Sequence, residues 1–292
     1  MPIGHDSLNL CRLAPHLCRQ TSERLFDLCC GSGIQGLLAI ANELADKVLA
    51  ADISPRALRF TYFNAQLNGE RYASRISTCL TDVYDGVPHE WLPFDAILAN
   101  PPFVAVPRIL REQHAASGAS VHAEWALYAD GGADGADCLR AIIAGARDAT
   151  LLHPGGRLAV VTEFPNIRQA AIWLLDSTPP RSHATSATPA GISCAVCFNP
   201  RHVRDAKTYA AERSEERGWP WTNAKEWETG LSANGVEHIS SGLLLAVTHH
   251  TAKTSGISVP LDGGIGSENS ALLETAEAGV RAASDALLRD VE

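Results

Sequence analysis

The sequence lacks a run of about 18 consecutive apolar residues, which is the length that a membrane-spanning helix needs. Its amino-terminal stretch is interrupted by His5, Asp6 and Arg12, so the core of a secretory signal is missing as well. Basic residues are scarce, with 24 Lys and Arg against 33 Asp and Glu. Because nucleic-acid binding depends on clustered basic side chains that neutralise phosphates, this balance disfavours nucleic acid as a partner. We expect a soluble, cytoplasmic protein without a membrane contact.

Cysteine pairs at metal-binding spacing are also scarce. The chain has eight cysteines, but its single Cys-x-x-Cys, Cys194–Cys197, lies in an apolar run and no second pair stands at zinc-finger spacing. We therefore predict no metal site and interpret most of the cysteines as small buried hydrophobic residues. With 292 residues, 46% hydrophobic and 20% charged, the chain is long enough for one large or two small globular domains.

From residue 24 onward, short apolar runs alternate with stretches that have a helical pattern. This alternation predicts an α/β fold: a doubly wound, mostly parallel, Rossmann-like sheet of seven strands with helices on both faces and an antiparallel final strand. The loops after the parallel strands then meet at one carboxyl edge of the sheet, where such folds bind ligands. The predicted strands are Arg24–Cys29, Lys47–Ala51, Ile76–Leu80, Phe94–Ala99, Arg157–Thr162, Ile192–Phe198 and Gly242–Thr248.

Composition divides the chain into a central domain and shorter flanking segments. The last segment carries apolar residues three and four apart, which predicts a helix with one apolar stripe. We expect this stripe to dock on its own domain, and a homodimer contact is the alternative. The predicted parts are an N-terminal helical segment (1–23), the domain (24–250) with a lid (104–136) and a Trp-rich insertion (201–237), a linker (251–269) and the C-terminal helix (270–292).

A glycine-rich loop follows the first predicted strand. Gly31, Gly33 and Gly36 match the spacing GxGxxG between a strand and a helix, which by itself indicates only a nucleotide site of some kind. Asp27 precedes this loop, and its carboxylate would repel a pyrophosphate but attract an ammonium group. S-adenosylmethionine (SAM) carries an ammonium group, a sulfonium and an adenosine, so Asp27 favours SAM. The alternative is that Asp27 caps the following helix through its N-terminal amides.

Two further carboxylates end predicted strands. Asp52 is placed to accept hydrogen bonds from both hydroxyls of a ribose, which suits NAD and SAM equally. Ile53 would pack against the adenine. Asp82 would meet the adenine amino group, although an exposed turn aspartate is the alternative.

The motif Asn100-Pro101-Pro102-Phe103 ends the fourth predicted strand. The two prolines remove backbone donors and leave carbonyl groups free to point outward. A substrate NH₂ group could therefore donate to the side-chain oxygen of Asn100 and to the carbonyl of Pro101. Phe103 would stack on a flat group of the substrate. A plain turn that ends the strand is the structural alternative.

Together these motifs resemble class I SAM-dependent methyltransferases. The similarity covers about residues 5–165 and a closing strand near Gly242–Thr248. It is greatest to the small-domain branch, which includes the release-factor glutamine N5-methyltransferases and the amino-methyltransferases of nucleic-acid bases. Cys29 stands where the family has its first loop glycine, so we expect an ordinary backbone angle there and less space near the sulfonium. The resemblance implies SAM as the cofactor, held by Asp27, Cys29, Gly31, Gly33, Asp52, Ile53, Asp82 and Asn100, and an acceptor held by Asn100, Pro101, Pro102 and Phe103.

The acceptor is predicted to be a nitrogen atom, less favourably an oxygen atom, of a small molecule, as in specialised metabolism. The acidic balance, the lid and the insertion with Trp219, Trp221 and Trp227 favour a closed, partly aromatic pocket. An oxygen acceptor would need a base, for which His114, His122 and Asp130 are the candidates. The alternatives are an N-methyltransferase of a protein glutamine or a nucleic-acid base, and, from another class, an NAD-dependent oxidoreductase or a non-catalytic nucleotide-binding module.

Overall fold

One mixed β-sheet with helices on both faces organises the protein. Its strands run in the order β3-β2-β1-β4-β5-β8-β6-β9, with β7 paired to β8. The computed structural model describes residues 4–17, 21–116, 128–175, 190–216, 222–250, 254–261 and 270–289. The strands are β1 (Ser22–Leu28), β2 (Ala45–Asp52), β3 (Ile76–Leu80), β4 (Phe94–Ala99), β5 (Leu152–Pro165), β6 (Gly191–Phe198), β7 (Arg204–Asp205), β8 (His238–His249) and β9 (Ser255–Pro260).

The helices fall mainly between these strands, as the alternating pattern predicts. The helix after β2 begins with Ser54, whose hydroxyl accepts a hydrogen bond from the Ala57 N–H, and with Pro55 in its first turn. The described helices are α1 (His5–Leu13), α2 (Ile34–Ala41), α3 (Pro55–Leu67), α4 (Glu70–Ala73), α5 (Arg108–Ala116), α6 (Asp137–Ala146), α7 (Ala170–Leu175), α8 (Ala206–Glu215), α9 (Ala224–Ala233) and α10 (Ser270–Arg289).

The sheet separates two apolar layers, because its central strands are apolar on both faces. In β1, Leu25 packs into the layer formed with α1, α2 and α10, whereas Phe26 packs into the layer formed with α6 and α7. All five strands from β3 to β5 are parallel, and β8 runs antiparallel to both β5 and β6. The doubly wound sheet with an antiparallel strand from the end of the domain is thereby confirmed.

The described residues form nine strands, whereas the sequence predicted seven. The extra strand β9 lies inside the predicted linker (251–269), where the Ser- and Gly-rich composition suggested no regular structure. It pairs with β6 in parallel, so an edge of the sheet orders this segment despite its weak local preference. The short strand β7 lies in the predicted insertion and pairs with β8.

The C-terminal helix docks on its own domain. Its residues Ala276, Val280, Ala283 and Leu287 are buried in the same layer as Leu25. The alternative that this stripe forms a homodimer contact is therefore wrong for these side chains, because the chain's own core covers them. Among the described residues, no helix combines the length and the apolar character needed to cross a bilayer.

The cysteine prediction is also confirmed for the Cys-x-x-Cys. Cys194 and Cys197 lie on β6, three residues apart, and they face opposite apolar layers. Burial raises the pKa of both thiols to about 12. Two thiols on opposite faces of a strand cannot bind one metal ion or form a disulfide with each other.

Candidate active site

The motif residues meet at the carboxyl edge of the sheet. Strand β1 lies between β2 and β4, and Leu28 is in register with Ala51 on one side and with Ala99 on the other. The glycine loop after β1, Asp52 at the end of β2 and Asn100 after β4 are therefore neighbours. The sequence placed these motifs at one edge, and the register of three parallel strands explains why.

The glycine loop turns sharply from β1 into α2. Gly31 and Gly33 have φ values of 54° and 78°, a region that favours glycine. A Cβ on Gly33 would lie 2.7 Å from Cγ2 of Thr61, so only glycine fits beside α3. The side chain of Asn64, also on α3, donates to the Ser32 carbonyl at 2.8 Å. Helix α3 thus holds the loop in a fixed shape with its backbone close to the edge.

Cys29 departs from the prediction, because its φ is 58° and not an ordinary value. The loop keeps the left-handed conformation of a glycine at this position, at a strain on the order of 1 kcal/mol for a side chain. The Cys29 thiol is hydrogen-bonded to the thiol of Cys138 on α6, and this contact together with burial raises its pKa. The side chain therefore points toward α6, where it is packed against the apolar layer that contains Phe26.

Asp27 makes the helix-capping contacts that were the alternative for this residue. Its side chain is completely buried, Oδ2 accepts the Gly36 N–H at 2.9 Å and Oδ1 accepts Nε2 of Gln35 at 2.5 Å. Burial raises the pKa of Asp27 to about 7, opposed by these two hydrogen bonds. A direct contact between Asp27 and an ammonium group stays a prediction, since both oxygens have partners in α2.

Asp52 is a partly accessible carboxylate of the site. Its Oδ2 accepts the Gly31 N–H at 3.0 Å and its Oδ1 accepts the Ser54 N–H at 2.9 Å, so the carboxylate ties the glycine loop to the end of β2. Partial burial raises the pKa of the Asp52 carboxyl group, and the rest of the side chain stays exposed to solvent. Ile53 beside it exposes 46% of its surface, which is high for a large apolar side chain. This pair offers a polar and an apolar wall to a ligand.

Asp82 lies beyond β3 and is exposed. Its backbone pairs with Asp85, while the preceding Thr81 donates its N–H to the Asp52 carbonyl at 3.1 Å. The turn is thus next to Asp52, as an adenine contact requires. That contact stays a prediction, because the described contacts of Asp82 are those of a turn.

The Asn-Pro-Pro-Phe motif follows directly on β4. Pro101 is buried, whereas Asn100, Pro102 and Phe103 are partly exposed at the edge. Nδ2 of Asn100 donates to Oγ of Ser7 on α1 at 3.0 Å. Neither Oδ1 of Asn100 nor the Pro101 carbonyl accepts a hydrogen bond from any residue that the structure describes. Two acceptors are therefore available side by side.

A glycine-rich segment, residues 131–135, packs against the backbone of Phe103 in this motif, and the sequence analysis did not predict this contact. A Cβ on Gly131 would lie 2.7 Å from Cα of Phe103, and one on Gly135 would lie 2.5 Å from the Phe103 carbonyl oxygen. The Val104 and Val106 N–H groups donate to the Ala129 and Gly132 carbonyls. The sequence signal was the cluster GGADG at the end of the predicted lid, because glycines permit the close backbone approach that is found here.

The insertion holds the segment just past Phe103. The Ala105 N–H donates to the hydroxyl of Tyr209 on α8, and the Ala105 carbonyl accepts the indole N–H of Trp227 on α9. Trp227 is completely buried, so the prediction that it lines an aromatic pocket is wrong. A buried indole N–H needs a partner, and here that partner is the Ala105 carbonyl, which belongs to the segment from Asn100 to Ala105, called the acceptor loop below. Trp219 and Trp221 lie outside the described residues.

A buried charge cluster lies under the insertion. Glu163, at the carboxyl end of β5, accepts hydrogen bonds from Arg204, Arg213 and the Tyr209 hydroxyl. Burial and then the charge of Glu163 raise the pKa of Asp6 on α1. The cluster therefore reaches the N-terminus of α1, next to the residue that bonds Asn100.

The candidate bases of the lid are only partly described. Asp130 accepts the Gly132 N–H at 2.9 Å and lies 3.8 Å from the Arg111 guanidinium, so it makes structural contacts. His114 is on α5, but its side chain is outside the described set, as is the whole of His122. A catalytic role for any of the three stays a prediction.

Comparison with known proteins agrees with this geometry. Residues 11–131 match the model of the family described as Methyltransferase small domain. The release factor glutamine methyltransferase of Moorella thermoacetica is 38% identical over 136 residues, which are 45% of this chain and 43% of that protein. The corresponding enzyme of Gloeobacter violaceus is 38% identical over 158 residues, 53% of this chain and 51% of that protein. The chain thus spans about half the length of these relatives.

One solved structure shows a weak similarity over most of the chain. Geranyl diphosphate C-methyltransferase from Streptomyces coelicolor A3(2) is 15% identical, with a TM-score of 0.42, over 84% of this chain and 80% of that chain. Residues 11–131 of the present chain are similar to a methyltransferase small domain. Among methyltransferases the chain resembles the release factor glutamine methyltransferases, as the motifs predict. The matches to methyltransferases favour a SAM-dependent methyltransferase over an NAD-dependent oxidoreductase.

SAM fits the described residues at three places. The left-handed glycine loop leaves backbone at the edge, Asp52 keeps part of its carboxylate accessible, and Ile53 offers an exposed apolar face. Asp27 fits as an indirect contributor, because it fixes the start of α2 at the loop. Because the Asp27 carboxyl group is buried and already hydrogen-bonded to α2, its observed role is structural.

Proposed function

We propose that this chain transfers a methyl group from SAM to the side-chain amide nitrogen of a glutamine in a protein. The release factor glutamine methyltransferases among its relatives support this acceptor over the small molecule that the sequence favoured. Because the chain spans about half of each relative, the activity and the substrate are inferred from the site and not carried over whole.

The observation that carries the proposal is the pair of unused acceptors after β4. Oδ1 of Asn100 and the Pro101 carbonyl have no hydrogen-bond partner among the described residues. An amide NH₂ group has two N–H donors in one plane, which is the complement of two neighbouring acceptors. A carboxylate or an ester oxygen has no donor and would be repelled there.

The residues of the chain position the acceptor more than they activate it. SAM, when bound, supplies an electrophilic methyl group. Asn100 and Pro101 would accept the two amide hydrogens, which weakens the conjugation of the nitrogen and turns its lone pair toward the cofactor side of the edge. Phe103 would cover the flat amide and exclude water. Holding two reacting groups in line at short distance supplies most of the acceleration in such transfers.

A small-molecule acceptor is the second candidate, and one observation favours it. Helices α8 and α9 pack directly on the acceptor loop through Tyr209 and Trp227, which restricts the room beside Phe103. Phe103 also lacks the phenolic hydroxyl that Tyr would offer to a peptide. An enclosed acceptor site would suit a compact amine or amide.

A methyl-transfer assay separates the two candidates. The chain is incubated with SAM carrying a tritiated methyl group and a cell extract that has been fractionated into proteins, nucleic acids and small molecules. We expect label in the protein fraction and on a synthetic peptide that contains glutamine, but not on the same peptide with glutamate. Label confined to small molecules would establish the second candidate, and no label in any fraction would contradict both.

A further inference from the structure

Helix α1 reaches the site through one serine that no motif predicted. Oγ of Ser7 accepts Nδ2 of Asn100 at 3.0 Å and donates to Oε1 of Gln35 at 3.4 Å. Nε2 of Gln35 in turn donates to Oδ1 of Asp27 at 2.5 Å. The four side chains form one continuous relay from the acceptor motif, across α1 and α2, to the carboxylate under the glycine loop.

In this relay each side chain donates a hydrogen bond to the next one, from Asn100 through Ser7 and Gln35 to Asp27. Above the pKa of Asp27, about 7, its carboxylate only accepts, so the Gln35 amide presents its NH₂ group there and its oxygen to Ser7. The one hydroxyl hydrogen of Ser7 then points to Gln35, which leaves its oxygen lone pairs for Asn100. Asn100 consequently turns its NH₂ group toward α1 and its oxygen away. Without this partner the terminal amide torsion has two comparable orientations, only one of which presents the oxygen.

We infer that Ser7 is a positioning residue, which selects the orientation of the Asn100 amide that leaves Oδ1 free for an N–H donor. The consequence for turnover rests on the proposed function, whereas the hydrogen bond itself does not. Ser7 acts through Asn100 and does not touch the acceptor. The relay also ties the acceptor motif to α2, so both halves of the site share one hydrogen-bonded chain.

Kinetics of three serine variants test the inference. Ser7→Ala should lower kcat about tenfold to a hundredfold, while the KM for the acceptor and the Kd for SAM stay within about threefold, because an Asn100 amide that is no longer held both flips and shifts out of line, and a misplacement of about 1 Å can cost about a hundredfold in rate. Ser7→Thr keeps the hydroxyl and should restore kcat to within about threefold of wild type. Ser74→Ala, which removes an exposed hydroxyl that donates to the Glu70 carbonyl, is the matched control and should leave kcat unchanged.

A spectroscopic readout works without any methyl acceptor. In protein labelled with ¹⁵N-asparagine, the side-chain NH₂ signal of Asn100 is identified by its loss in Asn100→Asp. Ser7→Ala should shift that signal and speed its exchange with water, whereas Ser7→Thr and Ser74→Ala should leave it in place. An unchanged Asn100 signal in Ser7→Ala would overturn the inference even if the protein methylates glutamine. A changed signal in a protein that methylates nothing would refute the proposed function alone.

Discussion

The two sides of the site are built differently. On the cofactor side, Asp27 bonds Gly36 and Asp52 bonds both Gly31 and Ser54, so the fixing contacts stay within the first part of the sheet. On the acceptor side, the Ala105 peptide is held by Tyr209 and Trp227, which lie more than a hundred residues further along the chain. The cofactor side is therefore assembled within one continuous part of the chain, from β1 to α3, whereas the acceptor side depends on contacts with the distant insertion.

The two buried carboxylates show the same contrast. Asp27 is neutralised by no cation among its described partners, and only a side-chain amide and a backbone N–H bind it. Glu163 is bound by two arginines and a tyrosine hydroxyl, all from the insertion. The cofactor side thus uses dipoles and the acceptor side uses ion pairs, so the two respond differently to pH and to loss of a partner.

The largest effect is expected on the acceptor side, from Asn100→Ala. The variant loses the acceptor that orients the substrate nitrogen, and turnover should fall by about a hundredfold or more, as for other misplacements of reacting groups. The Kd for SAM, measured by calorimetry, should stay within several-fold. Asn68→Ala, which removes an exposed side-chain amide on the C-terminal end of α3, is the control. Equal turnover of the Asn100 variant and wild type would remove Asn100 from the mechanism.

A second large effect is expected from Glu163→Gln. The variant removes the buried anion that Arg204 and Arg213 share and leaves them only the more exposed Glu212 and Glu216. Removal of one partner from a buried pair costs about 3–5 kcal/mol of the free energy of unfolding. Glu212→Gln, which affects only the exposed partner of Arg204, should cost below about 1 kcal/mol. Denaturant unfolding of both variants measures the difference. A similar cost for both would show that the cluster does not hold the insertion.

A smaller, pH-dependent effect is expected from Asp27. Its pKa is raised from an ordinary value to about 7, so the folded protein binds its proton more tightly than the unfolded chain does. The free energy of unfolding that Asp27 contributes should therefore fall as pH rises from about 4 to 7 and level off above that. Asp52 on β2 and the thiols of Cys11 and Cys30 face this carboxylate, and the negative charge of Asp52 acts in the same direction as burial.

Comparison of wild type with Asp27→Asn across this pH range measures the effect. The difference in unfolding free energy between the two should change in favour of the variant as pH rises to 7. Asp46→Asn, which removes an exposed carboxylate and leaves Asp27 in place, should keep the slope of wild type. A pH-independent difference between wild type and Asp27→Asn would show that Asp27 is ionised throughout.

The cofactor side could be predicted from the sequence because its signals are local. The glycine spacing, the Asp at the end of β2 and the double proline after β4 each mark a strand end, and parallel strands bring their carboxyl ends together. The backbone angle at Cys29 was mispredicted because the residue type favours ordinary angles, whereas the loop geometry and the contact with Cys138 on α6 decide the angle.

The acceptor side could not be predicted in the same way. Nothing local to Ser7, Tyr209 or Trp227 shows that they bond Asn100 and Ala105, since those contacts depend on how distant helices pack. Strand β9 was missed for a related reason, because its Ser- and Gly-containing sequence forms a strand only beside β6. Tertiary context outweighed local preference at each of these positions.

The most direct test of the cofactor assignment is calorimetric titration of the chain with SAM and with NAD, for wild type and Asp52→Asn. Wild type should bind SAM and not NAD. Asp52→Asn should weaken SAM binding about tenfold, because hydrogen bonds to a charged carboxylate are lost, while Asp46→Asn should not. Binding of NAD in preference to SAM would contradict the assignment.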